Sequence, residues 1–130
     1  MTLKRSYIAA LILAALVWLM PIAAHAEYID GPANIRSAPD GGAIITLESG
    51  TSVKVLSSEG DWYYIEFDVV YPMLRSHDLD AIPKGTLLYD DAQNEIGNTL
   101  ETIKTSPTMM EIGKYRTTIK GYIHRSRIHK

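Results

Sequence analysis

The sequence predicts an all-β protein, and three observations carry that prediction. Strand-length runs rich in β-branched and aromatic residues follow one another closely, Gly, Pro, Asp and Ser punctuate them, and apolar and polar side chains alternate with period 2 inside them. From Ala33 to Phe67 the runs are ANIR, AIITLE, SVKVLS and WYYIEF, separated by SAPDGG, SGT and SEGD. Val53 and Val55 alternate with Ser52 and Lys54, which gives that strand one apolar and one wet face. Tyr63, Ile65 and Phe67 share one face of the next strand, and Trp62, Tyr64 and Glu66 the other.

The first 26 residues are a different kind of sequence. Lys4 and Arg5 precede an unbroken apolar run from Ile8 to Met20, then Pro21 and the small-residue tripeptide Ala24-His25-Ala26. A charged start, an apolar stretch of that length and an A-x-A site describe a secretory signal peptide, cut between Ala26 and Glu27. An uncleaved anchor is the alternative, but the apolar run is shorter than the roughly 20 residues a spanning helix needs. No Cys follows Ala26 to carry a lipid. The expectation is export, to the periplasm, the cell wall or the medium, with no stable membrane insertion after cleavage.

Removing 26 residues from 130 leaves 104, and two of the 13 Lys and Arg go with the leader. The remaining 11 stand against 15 Asp and Glu, a formal charge of −4 with His neutral. Such a chain buries one modest core or two very small ones. Cysteine is absent, so packing alone must stabilise it, and thiol nucleophiles are excluded. Mild acidity argues against a nucleic-acid partner and against simple attraction to anionic lipid.

In the mature order, Glu27-Tyr28-Ile29-Asp30 is a first strand or lead-in that Gly31-Pro32 breaks. Then Asn34-Ile35-Arg36-Ser37-Ala38-Pro39 resembles the N-V-R-S-G-P signature of bacterial SH3-like (SH3b) domains, with Ala38 where the family usually has Gly. Ile44-Ile45-Thr46-Leu47, Gly50-Thr51, Val53-Lys54-Val55 and Gly60-Asp61-Trp62-Tyr63 follow in the family's order, and Gly121-Tyr122-Ile123-His124 is similar to its G-W-V-H closing strand. The resemblance, clear over 33–67 and weaker over 80–128, implies small SH3-like barrels and contact with the bacterial envelope, above all peptidoglycan or its stem peptides.

One such domain needs about 55 to 65 residues, the scale of the smallest independent domains. Here its last strand waits from Phe67 to Gly121. A tandem pair answers this, with module 1 at 27–79 and a degenerate module 2 at 80–130; the alternative is one domain with a long insertion at 68–112. Internal repetition favours the pair. Thr46-Leu47-Glu48 recurs as Thr99-Leu100-Glu101, Tyr63 as Tyr115, and Arg75-Ser76 as Arg125-Ser126. Pro72 belongs at an edge or bulge. Further strands are expected at Thr86–Tyr89, Glu95–Ile96, Asn98–Ile103, Thr108–Ile112, Lys114–Ile119 and Gly121–His124, with Asp90–Asn94 as a turn.

Catalysis finds little support. No G-x-S-x-G elbow is present, and the carboxylate pairs Asp78/Asp80 and Asp90/Asp91 lie in polar turn-like segments. His77-Asp78-Leu79-Asp80, His124 and His129 match no recognised zinc spacing, so neither metal nor cofactor is expected. The run His124-Arg125-Ser126-Arg127-Ile128-His129-Lys130 is basic inside an acidic protein and reads as a solvated end or a contact for an anionic polymer. Aromatic residues are more numerous than two small cores can hold. Trp62, Tyr64 and Tyr71, with Arg36 beside them, form the expected ligand groove: rings to stack on sugar or peptide and a guanidinium to pair with a carboxylate. The expected function is that of an exported, non-catalytic binding module for the cell wall, the alternative being a periplasmic protein–protein adaptor, inhibitor or accessory subunit.

Overall fold

The computed structural model describes residues 26–72, 80–111 and 113–129. The leader up to residue 25, the His77-Asp78-Leu79 segment and the Arg75-Ser76 repeat lie outside the described residues. Strands dominate, as the alternation requires: β1 (Ala26–Ile29), β2 (Ala33–Arg36), β3 (Ala43–Leu47), β4 (Ser52–Glu59), β5 (Trp62–Pro72), β6 (Ala81–Ile82), β7 (Leu87–Tyr89), β8 (Glu95–Thr99), β9 (Ile103–Lys104), β10 (Met109–Glu111), β11 (Lys114–His124) and β12 (Ile128–His129). A single 3-10 turn, Arg125–Arg127, separates β11 from β12. Among the described residues no helix is long and apolar enough to cross a membrane.

The two longest strands, β5 and β11, are eleven residues each and pair antiparallel over their whole length, from Trp62↔His124 to Pro72↔Lys114. Their far sides are occupied by β7 and β2, and the ladder β5-β7-β8-β3-β2-β11 closes on itself through the β11–β5 pairing. Closure removes the exposed edges of these six strands, and the sheet ends instead at β10 and β12. From the Trp62 end of β5 the sheet continues outward as β4, β1 and β12, and β10 lies on the free side of β11. The Glu59-Gly60-Asp61-Trp62 hairpin joins β4 to β5 across two residues, with Gly60 at φ +59 in the first loop position, where a left-handed residue matches the strand twist.

Inward alternation builds one core. Ile65, Phe67, Val69 and Tyr71 of β5 meet Ile119 and Ile123 of β11, with Ile35, Ile45, Leu47, Leu88 and Ile96 from the facing strands. Trp62, Tyr64 and Glu66 lie on the outer face, as the period-2 pattern predicts. In β4 a bulge between Val55 and Ser57 inserts Leu56 and leaves it exposed, shifting the alternation along the rest of the strand.

The predicted boundary at 79/80 does not divide two barrels. β3 pairs with β8, β2 with β11 and β5 with both β7 and β11, so strands from both predicted modules share one ladder and one core. The segment 68–112 is likewise no appendage, because β7 and β8 are staves of the barrel. The run expected from Asn98 to Ile103 ends at Thr99, and β9 instead forms a two-stranded ribbon with β6. Pro72 is the last residue of β5, where a missing N–H costs no interior ladder bond. The break expected before Gly121 is absent: β11 runs straight through it because β2 approaches so closely there that a Cβ would lie 2.5 Å from Ile35 Cγ2 and 3.0 Å from the Arg36 carbonyl oxygen.

Candidate functional site

The β5–β11 register decides which outer side chains meet. Trp62 stands opposite His124 and Tyr64 opposite Tyr122, and on the other side of β11 Tyr122 stands opposite Arg36 of β2. Residues directly across a ladder project to the same face, so Arg36, Trp62, Tyr64, Tyr122 and His124 form one outward patch. Trp62 meets His124 edge-to-face with ring centroids 5.3 Å apart, and Tyr64 lies against Tyr122 at 4.9 Å. The Arg36 guanidinium carbon is 5.9 Å from the Trp62 ring centroid, at the outer limit of cation–π range. One Nη1–H of Arg36 donates to the Gly41 carbonyl at 2.9 Å, which holds the side chain over the ring.

Beside Trp62 opens a cleft of about 400 Å3, with Arg36, Asn34 and Thr46 on one wall and His124, Ser126 and Arg127 on the other. The second wall is the 3-10 turn, and its hydrogen bonds explain its position. The Ser126 amide donates to His124 Nδ1 at 3.2 Å, the Arg125 amide to the Asp61 carbonyl at 2.9 Å, and the Asp30 amide to the Arg127 carbonyl at 2.8 Å. The turn is thereby pinned to the β4–β5 hairpin and to the end of β1. A backbone amide can only donate, so Nδ1 is the acceptor and the ring proton sits on Nε2. Ser126 Oγ lies 2.8 Å from the same Nδ1. The amide bond makes His124 the N-cap of the turn.

Of the residues expected to bind ligand, Arg36 and Trp62 line this cleft, and Tyr64 extends the same face next to it. Tyr71 does not belong there. It is only 3% exposed, on the inward side of β5 with its ring 5.6 Å from that of Tyr115, because its parity matches Ile65 and Phe67 and not Trp62. Burial, with the Tyr115 phenol adding to it, raises the Tyr71 pKa above the usual tyrosine value. Ala26 and Glu27, the expected cleavage pair, open β1 opposite Lys54 and Val53. The residues absent from the expected groove are His124, Ser126 and Arg127. Their signal in the sequence was the basic C-terminal run.

A second groove, about 520 Å3, is lined by Glu48, Asp68, Asp90, Asp91 and Glu95 among others. Three of its carboxylates are already engaged, Asp68 by the Thr118 hydroxyl at 2.6 Å. Asp91 is paired with Arg116, and Asp90 accepts from the Asn94 and Ala92 amides in its own turn. The Asn94 amide, foremost, holds the Asp90 carboxyl below its ordinary pKa. No group of three or more His, Cys, Asp or Glu suited to a metal ion occurs among the described residues.

No curated protein and no solved structure matches the chain. A family model does match part of it. Residues 31–70, which supply β2, β3, β4 and most of β5 and with them Arg36 and Trp62, match the bacterial SH3 domain, a family of binding modules that is not catalytic by itself.

Proposed function

We propose that this protein is an exported, non-catalytic binding module that contacts the bacterial cell wall, taking peptidoglycan or its stem peptides in the cleft beside Trp62. The observation that carries the proposal is the pairing of a half-buried indole with a guanidinium, both from the stretch that matches the family, in an open cleft. Rings of this kind stack on the faces of sugars and peptide planes, and the cation adds recognition of polar substituents. The leader pattern and the Ala26–Glu27 site support delivery to the compartment where that ligand lies.

Co-sedimentation with purified cell walls tests it. Wild-type protein is expected in the pellet, and Trp62→Ala and Arg36→Ala are each expected to shift most of it to the supernatant while melting cooperatively. N-terminal sequencing of the exported protein should begin at Glu27. A second reading, an adaptor whose partner adds to a sheet edge, is favoured by β10, a terminal strand whose Met109 and Met110 are 49% and 63% exposed. Under that reading the wild type stays in the supernatant.

A further inference from the structure

The cleft beside Trp62 is chemically one-sided. Its lining carries Arg36, Arg127, the His124 ring and the Ser126 hydroxyl, and no carboxylate, in a chain whose acidic residues outnumber its Lys and Arg by 15 to 13. Two neighbouring cations are paired instead: Lys54 with Glu66 at 3.7 Å and Arg125 with Asp61 at 3.8 Å. Among the described residues, neither Arg36 nor Arg127 has a carboxylate within ion-pair distance. Arg36 is placed by its bond to the Gly41 carbonyl, and the Asp30 amide fixes the backbone from which the Arg127 side chain reaches the cleft. Because Nδ1 of His124 is occupied by the Ser126 amide, the hydrogen on this ring is on Nε2, one more donor with no acceptor of its own among the described residues.

Two guanidinium groups lining one cleft with no carboxylate partner suit an oxyanion, and their fork matches the geometry of a planar one. We infer that the cleft is a carboxylate-binding site: Arg36 and Arg127 pair with a free carboxylate of the wall peptide, the His124 and Ser126 side chains bound its second wall, and the adjoining sugar or peptide plane rests on Trp62. This rests on the cell-wall reading above and names the group that reading leaves open. Arg127 and His124 thereby become specificity determinants contributed by the C-terminal turn, outside the stretch that matches the family model.

Tryptophan fluorescence tests it directly. The chain has two tryptophans, Trp18 in the leader and Trp62 in the cleft, so a Trp18→Phe chain expressed with its own leader reports on Trp62 alone whether or not the leader is removed. The probes are a synthetic N-acetylmuramyl tripeptide with free carboxylates, the same molecule with every carboxyl amidated, and poly(glycerol phosphate). The free acid is expected to perturb Trp62 saturably, amidation to weaken binding at least tenfold, and Arg36→Gln and Arg127→Gln each to weaken it comparably with unchanged melting temperature. Equal binding of the amidated probe would overturn the inference. So would response to the phosphate polymer alone, or an Arg127→Gln chain that binds normally. These outcomes are separable from failure of the cell-wall reading. If wild type still pellets with walls while the amidated probe binds equally well, the module stands and the carboxylate site falls; if wild type does not pellet, both fall.

Discussion

At the scale of single residues, Tyr71 and Tyr64 show how much a shift of parity matters. Both are tyrosines of β5, seven positions apart, yet Tyr64 lies on the outer face beside Tyr122 while Tyr71 is sealed against Tyr115. An odd separation along a regular strand places two side chains on opposite faces. Burial makes ionisation of the Tyr71 phenol harder in the fold than in the unfolded chain, where a tyrosine titrates near about pH 10. The folded pKa is therefore the higher one, and the sign follows: the stability that the neutral phenol contributes is fully present below the unfolded pKa and is lost as pH rises through the folded one. Tyr71→Phe is expected to cost little at neutral pH and to lose less stability than wild type between about pH 9 and about pH 11, within the range where tyrosines titrate. Urea midpoints of the two proteins at both pH values check this, and parallel loss in the two would count against a buried, pH-sensitive Tyr71.

At the scale of elements, the strands are held by close backbone approaches that only glycine permits. Gly97 of β8 stands opposite Leu47 of β3, and a Cβ built there would lie 1.9 Å from the Thr46 carbonyl oxygen. Backbone cannot move aside as a side-chain tip can. At Gly121 the nearest obstacle is the Ile35 side chain, with the Arg36 carbonyl next. Gly121→Ala is expected to destabilise by about 1–3 kcal/mol, the usual cost of overpacking a filled core. Gly97→Ala is expected to cost more than this, because β3 and β8 must separate. Denaturant titration of both variants gives the ranking, and the reverse order would show that β2 against β11 is the tighter seam. The sequence placed Gly97 between two runs and Gly121 at the start of the closing one. Both instead lie inside strands, since a glycine needed for close approach and a glycine ending a run look the same when no neighbour is visible.

At the scale of the whole molecule, β5 and β11 belong to every part of the barrel, so the two halves of the chain are not separable units. Residues 27–79 alone would leave Ile65, Phe67 and Val69 without Ile119, Ile123 and Leu88 to pack on. Each isolated half, 27–79 and 80–130, is expected to give the collapsed amide spectrum of an unfolded chain, and the two mixed together to regain dispersion. A half that folds alone would show that the repeats at Thr46-Leu47-Glu48 and Thr99-Leu100-Glu101 mark true modules. Those two segments instead meet each other: β3 pairs with β8, placing Leu47 against Gly97 and Ile45 against Thr99 in a single ladder.

Local chemistry in the sequence was enough to establish sheet secondary structure, the strand faces around Trp62 and Phe67, the family resemblance of the first stretch and the candidate residues Arg36 and Trp62. Each of these depends on side-chain type and on spacing within a few residues, which the linear order displays. Barrel closure and the arrival of His124 and Arg127 at the cleft beside Arg36 and Trp62 were decided only by tertiary structure. They depend on pairing between strands some fifty to ninety positions apart, such as Trp62 with His124 and Arg36 with Tyr122, and register between distant strands is set by how one shared core fills, not by any local pattern.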